Sequence, residues 1–189
     1  MINKIMMIAL CFSLQGCMNV ATSGAEAIYN RHSIEKNMKD QYLTMQAYKA
    51  IYYDTDQFKN TNISITTYHK EMLLAGQVPN SWQKMRINQI IKNIPDIDSI
   101  YNLITIQNPS SPLTKISDTW ISTKIKAKFL ASNDMDGSQV KVMTENGTVF
   151  LMGVMLKEHA DVAITLASNT DGVQQVVKLF SYMKISKKI

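Results

Sequence analysis

With 189 residues, 46% of them hydrophobic, and a mean hydropathy of -0.11, the chain suits one ordinary domain or two small ones, and is neither a disordered polymer nor a polytopic membrane protein. The 20 Lys and Arg against 15 Asp and Glu give a net charge of +5, a bias toward anionic surfaces that is too small and dispersed to indicate nucleic acid. Both cysteines, Cys11 and Cys17, fall in the first seventeen residues, which excludes a disulfide framework or a cysteine metal site in the body of the protein.

The first element is a leader. One charge, Lys4, precedes a mostly apolar run from Ile5 to Leu14, too short for the roughly 20 apolar residues that span a bilayer. The stretch Leu14-Gln15-Gly16-Cys17 that closes it resembles a bacterial lipobox. That resemblance implies removal of residues 1–16, acylation of Cys17, and, with Met18 rather than Asp in the next position, sorting to the periplasmic face of the outer membrane. Residues 17–33, small and polar, read as a tether.

The remainder repeats once. Asn62 to Val78 and Gln139 to Met155 match at an offset of 77: each alternates apolar and polar residues, breaks at a turn, and resumes through a glycine. Period-two alternation is that of half-buried strands, and Asn146-Gly147 suits a two-residue hairpin turn whose central residues both need positive φ. His69-Lys70 occupies that turn in the first copy, without a glycine. Helical runs follow from Ser81 to Ile94 and from Lys157 to Ser168, then strands from Ile97 to Leu103 and from Val173 to Leu179. Helices precede the hairpins, from about Gln41 to Tyr53 and from Ser117 to Leu130.

The expected fold class is therefore α+β: two tandem αββαβ domains, 34–106 and 117–186, each a three-stranded mixed sheet on two helices. Residues 107–116, with Pro109 and Pro112, read as a linker continuing neither element. A small sheet covered by helices on one face leaves the other available, so mutual packing of the copies is expected to supply part of the stability.

The alternating valines before Glu145-Asn146-Gly147, the run Val149-Phe150-Leu151-Met152-Gly153, a helix, and Gly172-Val173 leading into the last strand resemble a BON domain. With the lipobox, Tyr68, Leu73-Leu74-Ala75-Gly76-Gln77 and Pro79-Asn80 in the first copy, and Ser117-Asp118-Thr119-Trp120-Ile121 opening the second, the chain is similar to dual-BON outer-membrane lipoproteins. The first copy departs from the pattern at His69-Lys70 and in its bulky helix from Tyr42 to Tyr53.

No constellation for catalysis converges. His32, His69 and His159 fall one per element without metal-ligand spacing, the glycines mark turns rather than a phosphate loop, and the acidic pairs Asp54/Asp56, Asp96/Asp98 and Asp134/Asp136 suit solvation or capping. No catalytic residue, metal or cofactor is expected. The informative element is the helix from Ser117 to Leu130. Ile121, Ile125 and Phe129 form the stripe that covers a sheet, while Trp120, Thr123, Ala127 and Leu130 gather on a second face, with Lys124 on one side, Lys126 on the other, and Lys128 snorkelling from the edge of the core stripe.

An outward Trp and Leu bordered by lysines have the composition of a membrane-interface contact. Packing of Trp120 and Leu130 against the first copy or the linker is the other reading of the same residues. The family resemblance favours the first. It implies binding of anionic phospholipid, phosphatidylglycerol or cardiolipin, through this helix, with a role in outer-membrane integrity and association with the β-barrel assembly and division machinery. An interaction adaptor that uses the same face to dock a protein is the alternative.

Overall fold

The alternating segments form strands and the 3.6-periodic segments form helices in the computed structural model, which describes residues 24–53 and 56–183, with side chains from Glu35 onward. The leader and Cys17 lie outside the described residues, as do Lys184, Lys187 and Lys188 at the carboxyl end. In chain order the elements are α1 (Gly24–Tyr52), β1 (Asn62–Tyr68), β2 (Glu71–Val78), α2 (Ser81–Lys92), β3 (Ser99–Ile106), α3 (Pro112–Ala131), a short 3-10 turn (Gly137–Gln139), β4 (Val140–Glu145), β5 (Thr148–Met155), α4 (Lys157–Ser168) and β6 (Gln175–Tyr182). The central strands β2 and β5 pair antiparallel with β1 and β4 and parallel with β3 and β6, so both sheets are mixed and the αββαβ order occurs twice.

Two helices begin earlier than expected. The first reaches back to Gly24, inside the segment read as a tether, because a lack of core-forming side chains is no obstacle to a helix where Ala25, Glu26 and Ala27 supply propensity. The expected linker 107–116 is likewise shortened by α3, which starts at Pro112. Proline at the first helical position sacrifices no hydrogen bond, since that N–H has no partner within the helix, and Ser111 caps the helix by accepting the Thr114 N–H at 3.2 Å. Pro109 does stay outside any element. The last strands also lie slightly later than expected, ending at Ile106 and Tyr182.

Each copy buries one sheet face under its helices. In the first, Leu43, Ala47 and Ile51 of α1 and Ile87 and Ile91 of α2 meet Ile63, Ile65, Met72, Leu74 and Ile104 of the sheet. In the second, Ile121, Ile125 and Phe129 of α3 and Ala160, Ala163 and Ala167 of α4 cover Val140, Val142, Val149, Leu151 and Met155. The spacing of these apolar positions by three or four in the helices and by two in the strands is what lets both surfaces be continuous.

The repeat extends to polar contacts that the sequence pattern did not reveal. Buried Asp118 accepts the backbone N–H groups of Asn146 and Gly147 at 2.7 and 2.9 Å, clamping the β4–β5 turn to α3; Asp40, 78 residues earlier, does the same for His69 and Lys70 at 2.8 and 3.0 Å. Ser122 donates to Thr144 at 2.7 Å and Thr44 to Thr67 at 2.8 Å, a second matched pair. Both turns place two successive residues at positive φ, so His69-Lys70 adopts the same turn as Asn146-Gly147 despite its side chains. The Asp40 clamp and the His69 ring stacked on Tyr68 at 4.4 Å offset that strain.

The opposite faces of the two sheets lie against each other. Leu73 and Ala75 of β2 and Phe150 and Met152 of β5 form the buried centre of this contact, with Tyr68, Tyr101, Met143, Val177 and Leu179 around them. Glu145, buried at the end of β4, closes one end: it accepts from Asn62 Nδ2 at 2.5 Å, Ser64 Oγ at 2.8 Å and Gln77 Nε2 at 3.1 Å, all in the first copy. The result is a four-layer stack, helices, sheet, sheet, helices. Expected mutual packing is thus observed, and it leaves the two helical layers on opposite outer sides.

Candidate functional site

A solvent-facing ridge on α3 is the most unusual surface of the second copy. Trp120 is 63% exposed, so most of it is left uncovered by the first copy and the linker among the described residues. Leu130, Thr123 and Ala127 are exposed on the same face. The early start of the helix adds Leu113 and Ile116, both exposed, which the sequence reading left in the linker. Recognising Ser111-Pro112 as a cap and first helical residue would have found them. The positions 113, 116, 120, 123, 127 and 130 follow one another by three and four along the side opposite Ile121, Ile125 and Phe129. Such a continuous apolar line is rarely left in water unless something covers it.

The lysines divide by side. Lys124 donates to the Asp171 carbonyl at 2.6 Å, and Lys128 to the Asn169 carbonyl at 2.7 Å and to Thr170 Oγ1 at 2.8 Å. These two fasten α3 to the end of α4, where carbonyls without helical partners are concentrated, and both are half-buried. Lys126 is different. It is exposed on the other flank, where with Lys115 it borders a polar cleft of about 480 Å³ between α3, β4 and β1, lined also by Thr119, Ser122 and Ser64. Neither Lys126 nor Lys115 is held by a carboxylate among the described residues. The seven residues expected to meet phospholipid therefore share one helix, but only Trp120, Thr123, Lys126, Ala127 and Leu130 are fully presented to solvent.

Elsewhere, four of the acidic loop residues, Asp56, Asp96, Asp98 and Asp136, act as ion-pair partners or caps. Asp96 meets Lys39 at 3.5 Å, Asp98 meets Lys70 at 3.8 Å, and Asp56 meets Lys59 at 2.7 Å. Asp136 caps the 3-10 turn; the Ser138 hydroxyl, 2.6 Å from Oδ1, is the main reason its carboxyl sits below the ordinary aspartate range, with the Ser138 N–H and the Gln139 amide adding to it. Among the described residues no helix is long and apolar enough to cross a membrane, and no group of His, Cys, Asp and Glu is arranged to hold a metal ion.

Residues 39–108 and 117–184 each match the BON domain, together covering most of the chain and coinciding with the two αββαβ units. The chain belongs to the BON-domain family. It is 30% identical over 175 residues, 90% of both chains, to the outer membrane lipoprotein DolP of Haemophilus influenzae. It is 32% identical over 131 residues, 69% of this chain and 68% of the other, to the 21 kDa hemolysin of Actinobacillus pleuropneumoniae, and 28% identical over 158 residues, 82% and 78%, to the osmotically-inducible protein Y of Escherichia coli K12. The α+β fold and the tandem BON architecture agree with the sequence expectation, and the similarity across nine-tenths of both chains makes this a DolP-like, lipid-anchored protein of the outer membrane.

Proposed function

We propose that the second BON domain binds the surface of anionic phospholipid, phosphatidylglycerol or cardiolipin, through the α3 ridge, and that the protein supports outer-membrane integrity by binding rather than by catalysis. Acylation of Cys17 after removal of residues 1–16 provides the anchor. The observation that carries the reading is the uncovered line Leu113, Ile116, Trp120 and Leu130 on a helix whose opposite face is fully committed to the core. Trp120 suits headgroup depth, where an amphipathic ring is favoured, and Leu113, Ile116 and Leu130 reach the acyl boundary. Lys126 and Lys115 are available for phosphate, each adding about 1 kcal/mol near an anionic surface and losing it in salt. Lys124 and Lys128 set the helix position and contribute charge from its other flank. The acyl anchor raises the local concentration of this contact, so a weak affinity suffices.

Flotation of the unacylated chain, Asn19 to Ile189, with vesicles containing or lacking phosphatidylglycerol tests this. Binding that needs the anionic lipid, weakens with salt and falls about tenfold in Trp120→Glu, the equivalent of roughly 1.4 kcal/mol, is expected. Binding unchanged in that variant refutes the proposal. A second reading has one observation behind it: the 3-4-3-4-3 spacing of the ridge is that of a coiled-coil seam, suited to a partner helix from an assembly such as the β-barrel or division machinery. In that case Trp120→Glu abolishes co-purification of the partner and leaves vesicle binding intact.

A further inference from the structure

The repeat relates α1 to α3 at an offset of 78, with Asp40, Leu43, Ala47 and Ile51 standing where Asp118, Ile121, Ile125 and Phe129 stand. On the same correspondence the ridge positions 116, 120 and 123 fall on Met38, Tyr42 and Met45, and all three are exposed. Tyr42, 53% exposed, takes the place of Trp120. Trp82 and Met85 of α2, directly opposite the buried Gln83, Ile87 and Ile91, extend this apolar surface across the outer helical layer of the first domain.

The charges around it are predominantly positive. Lys36, Lys39, Lys49, Lys84, Arg86 and Lys92 lie on the described parts of these two helices, against Glu35 and an Asp40 that is buried and engaged with the turn. Apart from the Lys39–Asp96 contact, none of these cations meets a carboxylate among the described residues. A layer with aromatic rings, flexible methionines and mostly unpaired cations is complementary to a broad anionic surface. Because the sheets pack face to face, this layer and the α3 ridge point outward in opposite directions. One flat bilayer cannot meet both.

We infer that Tyr42 and Met45, with Met38, Trp82 and Met85 around them, form a second anionic-lipid contact, so that one molecule can hold two anionic membrane surfaces at once. The binding half of this stands on the first domain alone; the bridging half rests on the reading of α3 given above. Tyr42 is less suited to the interface than Trp120, so this is the weaker of the two contacts.

The test uses the unacylated chain with phosphatidylglycerol-containing vesicles, scored by flotation for binding and by turbidity for clustering, with circular dichroism as a control on folding. The wild-type chain is expected to bind and to cluster vesicles. Trp120→Glu should retain about a tenth of the binding and lose clustering, while Tyr42→Glu with Met45→Glu should retain most binding and lose clustering. The three substitutions together should remove the residual binding. Wild-type binding without clustering, clustering that survives Tyr42→Glu with Met45→Glu, or residual binding of the Trp120→Glu chain that is unaffected by those two changes each overturns the inference. The last two results direct attention to self-association and to a protein partner for the layer. Should Trp120→Glu alter nothing while Tyr42→Glu with Met45→Glu abolishes binding, the α3 proposal fails, bridging fails with it, and the first-domain contact stands.

Discussion

Lys70 at φ 65 and His69 at φ 49 hold backbone conformations that cost a residue with a side chain about 1 kcal/mol, and the fold retains them because Asp40 binds both N–H groups. Lys70→Gly should accordingly raise stability by about 1 kcal/mol in denaturant titration, since the exposed pair with Asp98 that it removes is worth little. Gly76 is the reverse case. At φ +118, a Cβ there would lie 2.1 Å from the Asn62 carbonyl oxygen in the paired strand, so Gly76→Ala should cost about 3 kcal/mol and lower the melting temperature by roughly 10 °C. Asp136 predicts a pH effect. Its folded pKa is lowered, chiefly by the Ser138 hydroxyl, so its stabilisation is present at neutral pH and is lost as the pH falls through that lowered value, beneath the ordinary aspartate range. The group is exposed and the global effect small; the expected readout is faster amide exchange at Ser138 in acid relative to neighbouring amides, after correction for intrinsic rates.

At the scale of elements, α3 presents one buried and one exposed face, and the boundary between them was legible because Ile121, Ile125 and Phe129 separate cleanly from Trp120 and Leu130 by helical angle. The ridge's first third was not, because a proline in a Pro- and Ser-rich stretch has the signature of a linker, though the position of Pro112 just after a serine cap makes it a helix start. Strand alternation also revealed the hairpins but assigned Glu145 no role: in a sheet with one solvated face, its side of β4 would be the wet one. The second sheet makes that face interior, a long-range fact with no local periodicity. The twin aspartate clamps were hidden for a similar reason, since a single Asp on a helix gives no sign that a turn 28 to 30 residues away will reach it. If the ridge acts as one surface, Leu113→Glu and Ile116→Glu should each weaken vesicle binding severalfold in flotation while leaving thermal stability within about 0.5 kcal/mol of wild type. Full binding by both variants would confine the contact to the half of the helix around Trp120.

For the whole molecule, the face-to-face sheets and the Glu145 cluster join the two domains into one folded body, which fixes the angle between their outer layers. Glu145→Ala leaves the buried Gln77 Nε2 without its acceptor and Asn62 Nδ2 with only Gln77 and Ser110, and should cost about 1–3 kcal/mol and separate a single unfolding transition into two in calorimetry. A single transition at an unchanged temperature would show that the apolar contact around Leu73 and Phe150 alone couples the domains. The molecule thus presents a rigid helix edge, and its proposed function turns on what Trp120 meets. Replacing Trp82 by Phe leaves Trp120 as the sole indole, and its emission can be followed as vesicles are added to the unacylated chain. A blue shift with phosphatidylglycerol vesicles, quenching by brominated acyl chains, and neither with neutral vesicles are the results predicted; an emission maximum that stays at its aqueous position while the protein floats with anionic vesicles would contradict the account.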